Sequence, residues 1–270
     1  MPVGLVATDL DGTIVGHDGT VSARTVAALA AVEDAGVPLV LVTGRPPRWM
    51  RPVVEATGHR GVAICANGGV VYDLHTERIL EAFLLPLDAG LEAVRRIREV
   101  MPRAVFAVET GAGFSHEPAY RTRWDSHLAA VRIAPAEELV AVPVVKLLVR
   151  DEDSDGDAML ELARQALGGL VEVTHSNPND CLLEISALGV SKATTLARVA
   201  AEHGVEAADV LAFGDQPNDL PMLAWAGTAY AVANAHPEVL AAVPLHTASV
   251  DEDGVAQVLE NLLADGGLRR

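Results

Sequence analysis

The sequence predicts an α/β fold, a parallel-sheet core interrupted by a second α/β domain, and three observations carry that prediction. Short runs rich in Val, Leu and Ala alternate with longer stretches of helical period, the order expected of strands joined by crossover helices. These runs are apolar almost throughout, as strands covered by helices on both faces require. The middle of the chain changes character, because its runs are interleaved with polar turns.

Taken in order, the first strand is GLVAT at 4–8. SARTVAALAAVEDAG then predicts a helix, with Ser22 as N-cap, Val26, Leu29, Ala30 and Val32 along one face and Gly36 as the stop. VPLVLVT (37–43) follows as the second strand and completes a βαβ unit, and VAICAN (62–67) is the third. The interruption falls after it. Residues 1–84 and 189–270 are read as one discontinuous core domain and 85–188 as the inserted domain, with linkers at 86–90 and 187–189. Inside the insertion, AVFAVE (104–109), KLLVR (146–150), LVEVTH (170–175) and CLLEIS (181–186) predict strands, and LEAVRRIREV and DAMLELARQAL predict helices. DEDSDGD (151–157) reads as a solvated loop. It departs from a calcium loop, since Gly156 is sixth but Leu162 stands twelfth, where a bidentate Glu belongs. Beyond the insertion come a helix starting at Ser191, SKATTLARVAAEHG, and the strands DVLAFGD (209–215) and TAYAVAN (228–234).

With 270 residues, 50% of them hydrophobic, the chain can bury a substantial core. Its net charge of −17, without any Lys/Arg-rich block, excludes a general polyanion binder, so nucleic acid is not an expected partner. A small anionic substrate stays possible if a cation and local donors overcome the negative field. No segment reaches the roughly 18 apolar residues of a spanning helix. The Met-Pro start carries no secretory pattern, so the expected location is the cytoplasm, away from membranes. Cys65 and Cys181 lack metal-site or CxxC spacing and are expected to be buried free thiols. The assembly is read as monomer or homodimer.

Every functional candidate lies at the C-terminal end of a predicted strand, where open parallel sheets place their ligand crevice. Asp9 and Asp11 follow the first strand, Thr43, Gly44 and Arg45 the second, Asn67 and Gly68 the third, and Asp215, Asn218 and Asp219 the fourth; Lys192 opens the re-entrant helix. Clustered carboxylates raise one another's pKa unless a cation sits among them, so a hard divalent ion, Mg²⁺, is the economical explanation. Such an ion suits an anionic substrate, with phosphate the natural one. The Thr43 hydroxyl, the Gly44 N–H and the Lys192 ammonium are then donors to phosphate oxygens. Residues i and i+2 of an extended segment point to one side, so Asp9 and Asp11 can address one phosphorus, one attacking and the other giving a proton. An Asp-x-Asp strand end taken alone also makes ordinary caps and turns. The complete set, in this order, separates the two readings.

TDLDGT (8–13), VTGR (42–45), GVSKATTL (189–196) and GDQPNDLPML (214–223) resemble the four motifs of the haloacid dehalogenase superfamily. The large insertion, with ANGG (66–69) and LEISALGVSK (183–192), is similar to that of its Cof-type phosphatases, which carry an α/β cap over a Rossmann-like core. The resemblance implies a Mg²⁺-dependent phosphatase acting on a small phosphorylated metabolite, sugar phosphates favoured. It makes Asp9 the nucleophile of an aspartyl-phosphate and Asp11 the acid that becomes the base for water. Thr43 would bind the transferring group and Lys192 balance its charge. Asp9, Asp11 through its carbonyl, and Asp215 would hold Mg²⁺, with Asp219 beside them. Gly44, Arg45, Asn67, Gly68 and Asn218 would contact substrate. Ala193 stands where many relatives have Gly, and removes no catalytic atom.

In such an arrangement cap closure excludes water and substrate choice lies in the cap, where Glu184 is the first candidate and His116, Arg121 and Arg123 follow. Arg48 and Trp49 are rim candidates that packing at a helix start would equally explain. A phosphomutase of the same superfamily is the alternative enzyme. A non-catalytic phosphate-binding module would be expected to lack one of Asp9, Asp11, Lys192 or Asp215, and all are present. Dehalogenase chemistry, which needs no Mg²⁺, would not call for Asp11 and Asp215.

Overall fold

The computed structural model describes residues 3–110, 113–122, 130–175 and 181–268. Two compact units divide the chain, residues 1–81 with 191–270, and residues 82–190.

The chain enters the first unit with β1 (Leu5–Thr8), α1 (Ala23–Asp34), β2 (Leu39–Val42), α2 (Arg51–Thr57), β3 (Val62–Cys65), β4 (Val70–Asp73) and β5 (Arg78–Ala82). The second unit holds α3 (Leu87–Val100), β6 (Val105–Thr110), β7 (Gly113–His116), β8 (Arg132–Ile133), α4 (Ala136–Leu139), β9 (Lys146–Arg150), α5 (Gly156–Leu167), β10 (Val171–Thr174) and β11 (Leu182–Ala187). The chain then returns with α6 (Lys192–Glu202), β12 (Val210–Gly214), α7 (Leu220–Trp225), β13 (Thr228–Val232), α8 (Pro237–Ala242), β14 (Leu245–Thr247) and α9 (Gly254–Ala264).

In the first unit the strand order is β14-β13-β12-β1-β2-β3-β4-β5, parallel from β14 to β3. β1 is central, and Leu5, Val6 and Ala7 are wholly buried. Each Val or Leu so buried contributes about 1.5–3 kcal/mol, which is why a four-residue apolar run suffices to define the strand. α1 begins as its sequence requires, with the Ser22 side chain accepting the Thr25 N–H, a cap worth about 1 kcal/mol.

The second unit builds a sheet ordered β10-β11-β9-β6-β7-β8, antiparallel except for β7 with β8. Side chains alternate across it. Phe106, Val108, Leu147, Val149, Leu183 and Ile185 pack with Ala93, Val94 and Ile97 of α3 and Met159 and Ala163 of α5. The other face carries Glu109, Lys146, Arg150 and Glu184, all buried.

Several expectations need correction. β4 and β5 extend the core sheet beyond its third strand; β4 pairs antiparallel with β3. Residues 86–90 are not a linker, because α3 begins at Leu87, directly after Pro86. Asp151, expected in a solvated loop, is buried and accepts from Ser154, while Asp155 caps α5. Cys65 is buried but Cys181 is half-buried, and neither forms a disulfide. Among the described residues, no helix is long and apolar enough to cross a membrane.

Candidate functional site

Four loops of the first unit leave the same edge of its sheet, because β1, β2, β3 and β12 run parallel. Asp9 follows β1 directly, its N–H donating to the Phe213 carbonyl at 3.0 Å. Gly12 has φ +86°, and a Cβ there would lie 2.3 Å from Asp215 Oδ2, so the loops after β1 and β12 can meet only at a glycine. Asp215 is held from both sides, Thr13 Oγ1 donating to Oδ1 at 3.0 Å and Gln216 Nε2 to Oδ2 at 2.9 Å.

Asp219 ends the 3₁₀ turn Pro217–Asp219 and is fully buried. Its Oδ2 accepts the N–H groups of Asp215 and Gln216, each at 3.0 Å. Its other oxygen accepts from Lys192 Nζ at 2.6 Å, and the same ammonium donates to Asp9 Oδ1 at 2.6 Å. Lys192 reaches this point from the first turn of α6, which Ser191 and Thr194 fix by a reciprocal capping box. The helix start is docked on the loop after β3, where Thr195 Oγ1 donates to the Gly68 carbonyl at 2.8 Å. Gly68 has φ +102°, and a Cβ there would stand 2.3 Å from the Ser191 carbonyl oxygen.

The electrostatics follow from three buried carboxylates around one ammonium. Burial raises the Asp9 carboxyl well above its usual range; Lys192 opposes this, and Asp219 and Asp215 add to it. Burial, then the Asp219 charge, pushes Asp215 up to about 6. Burial also works against the Lys192 ammonium, but Asp219 and Asp9 outweigh it and hold its pKa above the ordinary lysine value. One oxygen from each of Asp9, Asp215 and Asp219 lies within 4.8 Å of the others. Oxygen-only donors with excess negative charge fit a hard divalent cation.

Thr43 is buried after β2, and its hydroxyl accepts the Arg45 N–H at 3.0 Å. The Asn67 N–H donates to the Thr43 carbonyl at 3.0 Å, which sets Asn67 in the left-handed region at φ 57°. Asn218 Nδ2 reaches Asn67 Oδ1 at 3.1 Å. Gly44 is half-buried. Asp11 is the exception to burial, its side chain being 58% exposed and gripped by Arg45, with Nε on Oδ2 at 2.8 Å and Nη2 on Oδ1 at 2.5 Å.

The structure thus brings Asp9, Lys192, Asp215 and Asp219 into contact, joins Thr43, Asn67 and Asn218 by hydrogen bonds, and pairs Asp11 with Arg45. Glu184 belongs to the second unit, where it forms a buried ion pair with Lys146. His116 stacks in a cluster with Phe114 and Tyr120, Arg121 is exposed with Glu152 nearby, and Arg123 lies outside the described residues. Arg48 lies over the Trp49 ring, 5.1 Å from its centroid. Sequence reasoning missed Thr13 and Gln216 on Asp215, Asn234, whose Nδ2 donates to the Gly12 carbonyl at 2.7 Å, and Lys146. Thr13 lies in TDLDGT and Gln216 directly follows Asp215, a usable signal; Asn234 and Lys146 carried none.

A family model described as haloacid dehalogenase-like hydrolase matches residues 6–259. The chain is 27% identical to pyridoxal phosphate phosphatase YbhA of Escherichia coli, the match covering 96% of this chain and 98% of that one. It is 28% identical to 5-amino-6-(5-phospho-D-ribitylamino)uracil phosphatase YcsE of Bacillus subtilis, over 96% and 95%. Among solved structures, the phosphatase BT1666 of Bacteroides thetaiotaomicron superimposes with a TM-score of 0.79 at 23% identity, covering 96% of this chain and 95% of that chain.

Proposed function

Because the chain belongs to the haloacid dehalogenase-like hydrolases and is a phosphatase of that family, we propose that it hydrolyses a small phosphorylated metabolite through an aspartyl-phosphate on Asp9. The observation that carries this reading is the Lys192 ammonium bridging Asp9 and Asp219 inside a buried three-aspartate cluster.

Asp9 Oδ attacks phosphorus while the bond to the ester oxygen breaks, and Asp11 gives that oxygen its proton. Water then attacks the phosphoryl group, Asp11 takes a proton back, and the bond to Asp9 breaks to release inorganic phosphate. Thr43 and the Gly44 N–H hydrogen-bond the phosphoryl oxygens, and Lys192 offsets their charge as it develops. Asn67, Gly68 and Asn218 flank them. Asp9, Asp215, Asp219 and the Asp11 carbonyl would hold Mg²⁺, which supplies positive charge to the phosphoryl oxygens when bound. Asp219, whose two oxygens already accept three N–H groups, contributes mainly by fixing Lys192 and the loop after β12.

Sugar phosphates lead the substrate panel. Pyridoxal phosphate and the phosphorylated ribitylaminouracil join it, since 27–28% identical relatives bear those names. The net charge of −17 argues against a nucleic-acid partner, and the reading is of a monomer or homodimer in the cytoplasm.

The deciding experiment is phosphate release from p-nitrophenyl phosphate and this panel, with and without Mg²⁺, beside Asp9→Asn. Mg²⁺-dependent release lost in the variant is expected. Turnover that survives Asp9→Asn would remove the covalent mechanism, and turnover indifferent to chelator would remove the metal.

A further inference from the structure

Arg45 has a second relationship besides its place in the loop after β2. Its side chain is 18% exposed and meets Asp11 through two N–H groups, while the Asp11 side chain is 58% exposed and two residues from Asp9. Both carboxylate oxygens of Asp11 are engaged, one by each donor. A planar guanidinium with two parallel donors fixes a carboxylate in direction as well as position, which an ammonium cannot do. Without that grip an aspartate this exposed would sample its rotamers more freely.

Arg45 is in turn tied to the phosphate-binding turn, because its own N–H donates to the Thr43 hydroxyl. One residue therefore links Thr43, on the side of the transferring group, to Asp11, on the side of the leaving group. We propose that Arg45 is a positioning residue, acting on the reaction through Asp11 rather than through the substrate: it holds the Asp11 carboxylate in direction, and one of its two N–H groups lets go of the oxygen from which the proton passes to the leaving group. This rests on the phosphatase reading above and replaces, for Arg45, the substrate contact expected from the sequence.

The consequence is specific to the leaving group. A p-nitrophenolate departs without a proton, so turnover of its ester depends weakly on an acid in the first step, whereas an alkoxide such as that of glycerol phosphate needs one. Orientation of Asp11 by Arg45 should therefore matter more for the alkyl ester.

The test is a double-substitution cycle of Arg45→Met and Asp11→Asn, read as kcat and KM on both esters, with Arg45→Lys as the conservative variant. The expected result is a fall in kcat of about 10- to 100-fold on glycerol phosphate for Arg45→Met, the range by which mispositioned groups slow a reaction. KM should change less than the rate, and the loss on p-nitrophenyl phosphate should be smaller. Added to Asp11→Asn, the Arg45 change should cause little further loss, and Arg45→Lys should restore only part of the rate. A rise in KM with kcat intact, or a loss from Arg45→Met that is the same with and without the Asp11→Asn substitution, would make Arg45 a substrate contact and overturn the inference. Equal losses on both esters, tracking a lowered Tm, would reduce it to a structural residue. Absence of turnover in the unsubstituted protein would overturn the phosphatase reading and this inference with it.

Discussion

Both units bury a lysine beside carboxylates, and the two arrangements differ in their charge balance. In the first unit Lys192 touches Asp9 and Asp219, and Asp215 stands close by, three acids to one base. In the second, Lys146 on β9 is paired with Glu184 on β11 and stands opposite Glu109 of β6 in the antiparallel register. An ion pair within a folded sheet offsets its own desolvation only in part, and an apolar replacement of both partners is often neutral or better. A cluster with surplus negative charge is different, because it invites a cation and raises its own pKa values. Proximity to a buried lysine is thus common to both units; surplus negative charge at the end of a parallel sheet distinguishes the cluster around Lys192.

Removing each lysine should separate the two arrangements most clearly. Lys192→Met should lower turnover by about 10³-fold or more, beyond the usual effect of removing one charge-stabilising donor, and Mg²⁺ should not restore it. Lys146→Met should destabilise the fold by about 3–5 kcal/mol, as stranded buried charges do, while kcat on p-nitrophenyl phosphate stays within about threefold. Urea denaturation and phosphate release on the two variants measure both effects; similar rate losses would erase the distinction. Replacing Lys146 and Glu184 together by Met and Leu should recover most of that stability, whereas no apolar pair at Lys192 and Asp219 should recover activity.

Gly12→Ala probes the close approach that forms the first cluster. The strain of φ +86° is about 1–3 kcal/mol, and Asp215 must also move, so Mg²⁺ affinity should fall along with stability. An effect of similar size is a rise in Tm with Mg²⁺, equivalent to about 2.7 kcal/mol at a hundred times Kd, which Asp215→Asn should diminish. Calorimetry with and without the ion reads it. A shift undiminished in that variant would move the metal away from Asp215.

Legibility in the sequence followed the same physics. The parallel strands could be read because burial on both faces leaves only apolar residues, as in Leu39–Val42. β5 could not, since RILEA at a sheet edge is mostly exposed and has the composition of a turn flank. The aspartates could be read because strand ends put them on one rim. Lys146 sits inside KLLVR, where a lysine looks like an outward-facing strand residue, and only the tertiary pairing with β11 reveals that it is buried. The grip of Arg45 on Asp11 spans 34 positions and likewise depends on which way two loops face.

The insertion has one more consequence, which concerns time. β1 lies between β2 and β12, so the neighbour on one side is made soon after it and the neighbour on the other only after the entire second unit. The ribosome makes roughly 5–20 residues per second, so Asp9 waits on the order of ten to forty seconds before Asp219 exists. During that interval the nascent first segment has half a sheet and no lysine for its aspartate. On the proposed mechanism, a chain released early, or cut within the insertion before the return segment pairs, should therefore be silent until the segment that carries Lys192, Asp215 and Asp219 has been made.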